Sequence, residues 1–168
     1  MIAKKREAVA AMNERAYRAK EWLTRNDGLI EELKAEHDTL LMMSGKVNSA
    51  VAAYETDGAN HRDIEAAKAR REDALLDFSK QMERIEKKQA KLIAELNKTQ
   101  DVIDLIEYRT SRGDYGALYR TIAKRRYVVG QKWPEIAELL HRSKQQLDRD
   151  NNKICELVAD ILAESLIV

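Results

Sequence analysis

The sequence is poor in residues that interrupt helices or build strands. Only one of its 168 residues is proline, six are glycine, and aromatic residues make up 5%. Strands favour β-branched and aromatic residues, whereas Ala, Glu, Lys, Leu and Arg, which dominate this chain, are typical of long helices and coiled coils. We therefore predict an all-α protein.

Cysteine and long apolar runs are equally scarce. Cys155 is the only cysteine, so no disulfide can form within the chain. The sequence contains no run of about 18 apolar residues and no apolar region typical of a signal peptide. We expect neither secretion nor contact with a membrane, a reducing cytoplasm as the location, and a buried structural role for the thiol.

Signatures of catalysis and of metal binding are missing as well. The sequence has no phosphate-cradling glycine loop, no nucleophile elbow and no His-Glu-x-x-His motif. The three histidines, His37, His61 and His141, are not spaced to share one helical face, and zinc sites normally combine several His or Cys ligands. We expect a protein that is not an enzyme and that holds no cofactor and no metal.

Two long heptad seams are the main pattern that is present. Within residues 9–54, and again within 64–106, apolar and small residues recur at alternating spacings of three and four. The segment TDGAN, residues 56–60, separates the two seams with turn-forming residues. Similar lengths and a short connection predict a long antiparallel helical hairpin, a coiled coil, over residues 1–109. Pairing within one chain or between two chains stays open, and we expect a homodimer.

Some members of the first seam are polar. They include Asn26, His37 and Ser44. Isolated polar residues in a coiled-coil seam fix the register of the two helices at some cost in stability. We expect these side chains to face the second helix.

A small basic domain is predicted after the hairpin. Residues 110–116, TSRGDYG, interrupt the helical pattern and are assigned to a linker, and residues 117–168 to a helix-turn-helix domain. The whole chain carries a net charge of +1, yet residues 109–153 hold 11 Lys or Arg against five Asp or Glu, hence +6. A local basic surface of this kind suits nucleic acid.

The segment KWPEIAELLHRSKQQLDRDNNK, residues 132–153, has the order of a helix-turn-helix motif. Pro134 suits the first turn of one helix, His141 falls in the turn, and Ser143 suits the cap of a second helix. Leu147 would pack inward, and Gly130 would end the helix before the motif. The second helix would enter a DNA groove by its polar N-terminal face.

Side chains on and around this second helix are candidates for contacts to DNA. Gln and Arg can bind adenine and guanine edges through paired hydrogen bonds. We predict base reading by Lys144, Gln145, Gln146 and Arg149. We predict phosphate binding by Lys124, Arg125, Arg126, Lys132, Arg142, Ser143 and Lys153. Asp148 and Asp150 would repel phosphates unless they pair with Arg142, Lys144 or Arg149.

The run RRYVVGQKWPEIAELLHRSKQQLDRDNNKICELV resembles region four of sigma-70-type factors. With the helical hairpin before it, the chain is most similar to the ArpU-like transcriptional regulators of phages and prophages in Gram-positive bacteria. The resemblance implies a sequence-specific regulator that binds double-stranded DNA in the cytoplasm of a bacterial host and acts with RNA polymerase or a sigma factor. The alternative is a non-enzymatic interaction factor, an anti-sigma factor, co-activator or packaging adaptor, that uses the coiled coil.

Overall fold

The fold is built from helices. A computed structural model describes the backbone of residues 2–56, 61–110 and 113–165, and the side chains of residues 10–49, 65–110 and 115–165. The elements are α1 (Ile2–Thr56), α2 (His61–Asp104), α3 (Ile106–Arg109), α4 (Gly113–Lys124), a π-helical segment (Arg125–Val129), α5 (Trp133–Leu139) and α6 (Lys144–Ser165). These described residues form no strand, so the all-α prediction is confirmed. No helix among them is long and apolar enough to cross a membrane.

The chain forms two compact units. The first, here the terminal unit, comprises residues 1–30 and 94–168, and the second, the hairpin unit, comprises residues 31–93. The predicted turn lies between the end of α1 and the start of α2, and its residues 57–60 are outside the described part, as are residues 111–112 and 166–168. Residues 113–116 of the predicted linker lie in the first turn of α4. The domain division at residues 110–116 stays a prediction.

In the hairpin unit, α1 and α2 run antiparallel. Lys88 of α2 lies 2.8 Å from the carboxylate of Glu32 near the start of the α1 portion. Further along α1, Val47 lines a groove with Phe78, which precedes Lys88 on α2. Later residues of α1 therefore meet earlier residues of α2, and these two long helices pack side by side as the heptad seams predict.

The polar members of the first seam have different environments. Asn26 is completely buried, whereas His37 and Ser44 are exposed. The prediction that the seam turns its polar side chains towards the second helix is confirmed for Asn26, which accepts a hydrogen bond from Thr99 of α2. His37 and Ser44 keep their polar groups in water. An imidazole or a hydroxyl keeps its hydrogen bonds to water when it is exposed, and burial without a partner would cost it that solvation.

One apolar core holds the terminal unit together. Each of its helical elements contributes at least one buried side chain to that core. The buried members include Leu23 (α1), Ile103 (α2), Ile106 (α3), Ile122 (α4), Tyr127 (π-helical segment), Ile136 (α5) and Ile154, Val158 and Ile161 (α6). Burying one such aliphatic side chain contributes about 1.5–3 kcal/mol. Ala19 and Leu23 of α1 are thus packed into the same core as the C-terminal helices.

A buried polar contact joins α1 to the π-helical segment. The side-chain amide of Asn26 donates to the backbone carbonyl of Tyr127 at 2.9 Å, and Thr99 of α2 donates its hydroxyl to the Asn26 oxygen at 3.3 Å. Carbonyls in the last turn of a helix lose their intrahelical donors, so Asn26 supplies the donor that Tyr127 needs. Gly130 then ends the segment at φ 80°, as predicted, and a Cβ there would approach Ile30 to 3.2 Å.

Replacing Asn26 by alanine is expected to destabilise the terminal unit by about 2–3 kcal/mol, because the buried Tyr127 carbonyl loses its donor. Both tryptophans, Trp22 and Trp133, belong to this unit, so urea unfolding followed by tryptophan fluorescence measures the loss. Asn97→Ala, at an exposed position of α2, is the control and should stay within about 0.5 kcal/mol of wild type. Equal stability of the two variants would contradict this role for Asn26.

Candidate nucleic-acid interface

Four residues separate α5 from α6, and their backbone makes a tight turn. His141 has a positive φ of 50°, in the left-handed region, as its place in the predicted turn requires. The Arg142 amide donates to the Ala137 carbonyl at 2.9 Å, which closes the turn on α5. Ile136 and Leu147 are buried on the two sides of the turn. The turn therefore fixes where α6 begins.

The start of α6 is capped from both directions. The backbone amide of Gln146 donates to the Ser143 hydroxyl at 3.2 Å, and the backbone amide of Ser143 donates to the Gln146 side-chain oxygen at 2.8 Å. This reciprocal pair is a capping box with glutamine in place of glutamate. The predicted cap role of Ser143 is confirmed, and the side-chain oxygen of Gln146 is engaged in that cap.

One exposed face of α6 carries most of the residues predicted to read bases. This outer face consists of Lys144, Gln145, Asp148, Arg149 and Asn152, which are all exposed. At about 100° of rotation per residue they fall within an arc of about 140° of the helix. The guanidinium of Arg149 donates to the Gln145 carbonyl at 3.4 Å, a weak contact within the helix. The outer face therefore presents two cations, two amides and one carboxylate to solvent.

The second carboxylate, Asp150, points away from that face. Arg142 Nε lies 2.7 Å from Asp150 Oδ2, and Arg142 Nη2 donates to Asp150 Oδ1 at 3.2 Å. The side chains of Arg142 and Asp150 are 22% and 8% exposed. The pair joins the turn to the second turn of α6 and neutralises the Asp150 carboxylate. Asp148 remains exposed.

Arg126, a predicted phosphate ligand, has a partner on α1. Its two terminal nitrogens donate to the two carboxylate oxygens of Asp27 at 2.6 and 2.7 Å. Its guanidinium also lies 5.5 Å from the ring centre of Tyr127 and 5.7 Å from that of Trp133. Asp27 lies 99 residues earlier in the chain and was not among the predicted site residues. Its position beside the polar seam residue Asn26 was the one available signal.

The other predicted phosphate ligands differ in whether their side chains already have a partner. Arg125 donates to the Gln131 side-chain oxygen at 3.1 Å, and Lys153 lies 2.8 Å from Glu156. Lys124 and Lys132 are exposed, and neither makes an ion pair with any residue that the structure describes. These two lysines flank the motif with charges that an anion can approach.

A buried tyrosine sets the position of α6 against the π-helical segment. The Tyr127 hydroxyl donates to the side-chain oxygen of Asn151 at 2.7 Å, and both residues are buried. The Tyr127 ring meets Trp133 edge-on, with ring centres 6.3 Å apart. Burial raises the pKa of Tyr127, so its hydroxyl stays a donor. Asn151 was not among the predicted site residues, because it stands among other polar residues in the sequence of α6.

A groove runs between α1 and α6 in the terminal unit. It is lined by Asn13, Ala16, Tyr17 and Lys20 of α1 and by Asn152, Cys155 and Glu156 of α6. Cys155 is 3% exposed, which confirms the predicted buried thiol. Burial raises the pKa of Cys155 to about 11, and the charge of Glu156 adds to this effect while the charge of Lys20 opposes it.

No protein-family model, no curated protein and no solved structure matches the chain. Among the side chains that the structure describes, no group of three or more His, Cys, Asp or Glu is arranged to hold a metal ion.

Replacing Asp150 by alanine is expected to lower the free energy of unfolding by about 2–3 kcal/mol, since Arg142 is left partly buried without its counter-charge. The exposed neighbour Asp148 gives the matched control, and Asp148→Ala should change the stability by less than about 0.5 kcal/mol. Urea unfolding followed by tryptophan fluorescence compares the two. A loss of the same size for both variants would show that the Arg142 pair does not hold the turn.

The Cys155 thiol should make stability depend on pH in the alkaline range. Because its pKa rises from an ordinary 9.0 to about 11 on folding, the folded state favours the neutral thiol below pH 9 and loses that advantage as the pH rises through 11. The stability of wild type relative to Cys155→Ala should therefore fall by up to about 2–3 kcal/mol between pH 9 and 11. Urea unfolding of both proteins across this range measures the difference, and parallel pH profiles would exclude the effect.

Proposed function

We propose that the chain is a sequence-specific DNA-binding transcriptional regulator of phage or prophage genes, in which α5, the turn and α6 act as a helix-turn-helix. The outer face of α6 carries this proposal. It places Lys144, Gln145 and Arg149 at the exposed N-terminal part of a capped helix whose opposite side is packed into the core. A helix supported in this way can enter the major groove without rearrangement.

Base reading falls to the side chains that are not engaged elsewhere. Arg149 suits guanine, where a guanidinium bonds to O6 and N7, and Gln145 suits adenine, where an amide bonds to N6 and N7. Lys144 supplies a further donor at the start of the helix. Gln146 contributes chiefly through the cap, because its side-chain oxygen already accepts the Ser143 amide.

Phosphate binding is assigned first to the exposed lysines. Lys124 and Lys132 carry charges without an ion-pair partner in the described part of the chain. Arg126 and Arg142 are paired with Asp27 and Asp150, so they position the motif more than they attract the duplex. This division gives the interface fewer ionic contacts than the +6 of residues 109–153 suggests.

The resemblance to region four of sigma-70-type factors extends the proposal to partners. RNA polymerase or a sigma factor is the expected protein partner, and a homodimer would place two reading helices on a site with two half-sites. The bacterial cytoplasm is the corresponding location.

A protein-interaction role of the long helices is the second candidate. In the hairpin unit, Leu41 and Met42 of α1 are 60% and 67% exposed, and Leu76 of α2 is 56% exposed. Large apolar side chains exposed on long helices suit an anti-sigma factor, a co-activator or a packaging adaptor, which would bind protein through this surface.

Base reading is tested with Gln145→Ala and Arg149→Ala on a duplex that the wild-type protein enriches from a random pool. Each substitution should weaken binding to that duplex by about 1–3 kcal/mol and binding to random duplex far less. The controls Gln81→Ala and Arg84→Ala remove the same side-chain types from exposed positions of α2 and should leave both affinities unchanged.

Two outcomes would contradict the proposal in different ways. Equal losses on the enriched and the random duplex would exclude base reading by Gln145 and Arg149. Failure to enrich any duplex, with no binding near physiological salt, would exclude a DNA reader and favour the second candidate.

A further inference from the structure

The groove between α1 and α6 continues the outer face of α6. Asn152 belongs to both surfaces, because it is the last residue of the outer face and also lines the groove. Across the groove, α1 contributes Asn13, Tyr17 and Lys20. The groove therefore places these three side chains beside the C-terminal end of the outer face.

Three of the four residues that line the α1 side of the groove have side chains that donate hydrogen bonds, and the fourth is Ala16. Asn13, Tyr17 and Lys20 are spaced four and three residues apart, which places them on one face of the helix. All three are exposed, including Tyr17, whose 63% exposure is high for an aromatic side chain. Lysine, tyrosine and asparagine are among the side chains that contact phosphate oxygens in protein–DNA complexes.

The charges around the groove favour an anion. Lys20 makes no ion pair with any residue that the structure describes. The one carboxylate that lines the groove, Glu156, lies 2.8 Å from the ammonium group of Lys153. Cys155 is buried and neutral at physiological pH. The charge of Lys20 is therefore the uncompensated one on this surface.

We propose that Asn13, Tyr17 and Lys20 bind the phosphodiester backbone of the duplex whose bases face α6, so that α1 is itself part of the DNA interface. The inference rests on the proposed function of α6 and assigns a second element to the same ligand. Lys20 provides the ionic contact, and Tyr17 and Asn13 provide neutral hydrogen bonds to neighbouring phosphate oxygens. These contacts follow the backbone and carry no sequence information.

The test compares Lys20→Gln and Tyr17→Phe with Lys34→Gln, which removes the same charge from an exposed position of α1 in the hairpin unit. Dissociation constants are measured on the enriched and the random duplex over a salt series. Lys20→Gln should weaken binding to both duplexes by a similar factor, about three- to tenfold, and should reduce the slope of log K against log salt by about 0.9. Tyr17→Phe should weaken both without changing the slope, and Lys34→Gln should change nothing.

Phosphate ethylation interference then locates the contact. With wild type, ethylation of a phosphate that flanks the bases read by α6 should block binding, and with Lys20→Gln that phosphate should become insensitive. Thermal unfolding of each variant checks that these exposed substitutions leave the terminal unit folded.

The outcomes separate the two proposals. If Lys20→Gln keeps the wild-type slope and affinity while Arg149→Ala loses specific binding, the reading role of α6 stands and the role of α1 is overturned. If wild type binds neither duplex, both are overturned. A reduced slope with Lys20→Gln but not with Lys34→Gln supports the contact.

Discussion

Two neighbouring residues of α1 hold two neighbouring residues of the π-helical segment, and the rest of the terminal unit depends on this contact. Asn26 satisfies the carbonyl of Tyr127, and Asp27 pairs with the guanidinium of Arg126. The Tyr127 hydroxyl in turn donates a hydrogen bond to Asn151, which fixes α6 against the π-helical segment. Beyond their shared apolar core, the first long helix and the proposed reading helix are thus connected by buried hydrogen bonds through one residue, Tyr127.

Burial decides which polar contacts contribute most to the stability of this chain. Ion pairs such as those between Glu14 and Arg18 or Glu83 and Lys87 are exposed pairs within one helix, and such pairs contribute little to stability. Asn26 is completely buried, so loss of its partner leaves polar groups without water or a substitute donor. A polar residue in an otherwise apolar seam therefore specifies one arrangement of the terminal unit and disfavours others.

Local signals in the sequence predicted local structure well. The all-α class, the end of a helix at Gly130, the Ser143 cap and the turn at His141 all follow from propensities and backbone preferences of a few adjacent residues. The partners of Arg126 and Tyr127 could not be predicted in this way, since Asp27 and Asn26 lie about 100 residues earlier and no periodic pattern connects them. His37 and Ser44 show the same limit, because heptad spacing does not reveal whether a polar side chain finds a partner. Arg142 was one of several alternatives for Asp150, and only the turn geometry selects it.

In the π-helical segment, the number of residues matters as much for the fold as their identity. The hydrogen bonds of a π-helix span five residues, one more than those of an α-helix, and each residue of an α-helix rotates the chain by about 100°. Deleting one residue from Arg125–Val129 would turn Tyr127 away from Asn26, Asn151 or both. An insertion or deletion in this segment would therefore be harder to tolerate than a substitution at its exposed residue Val129.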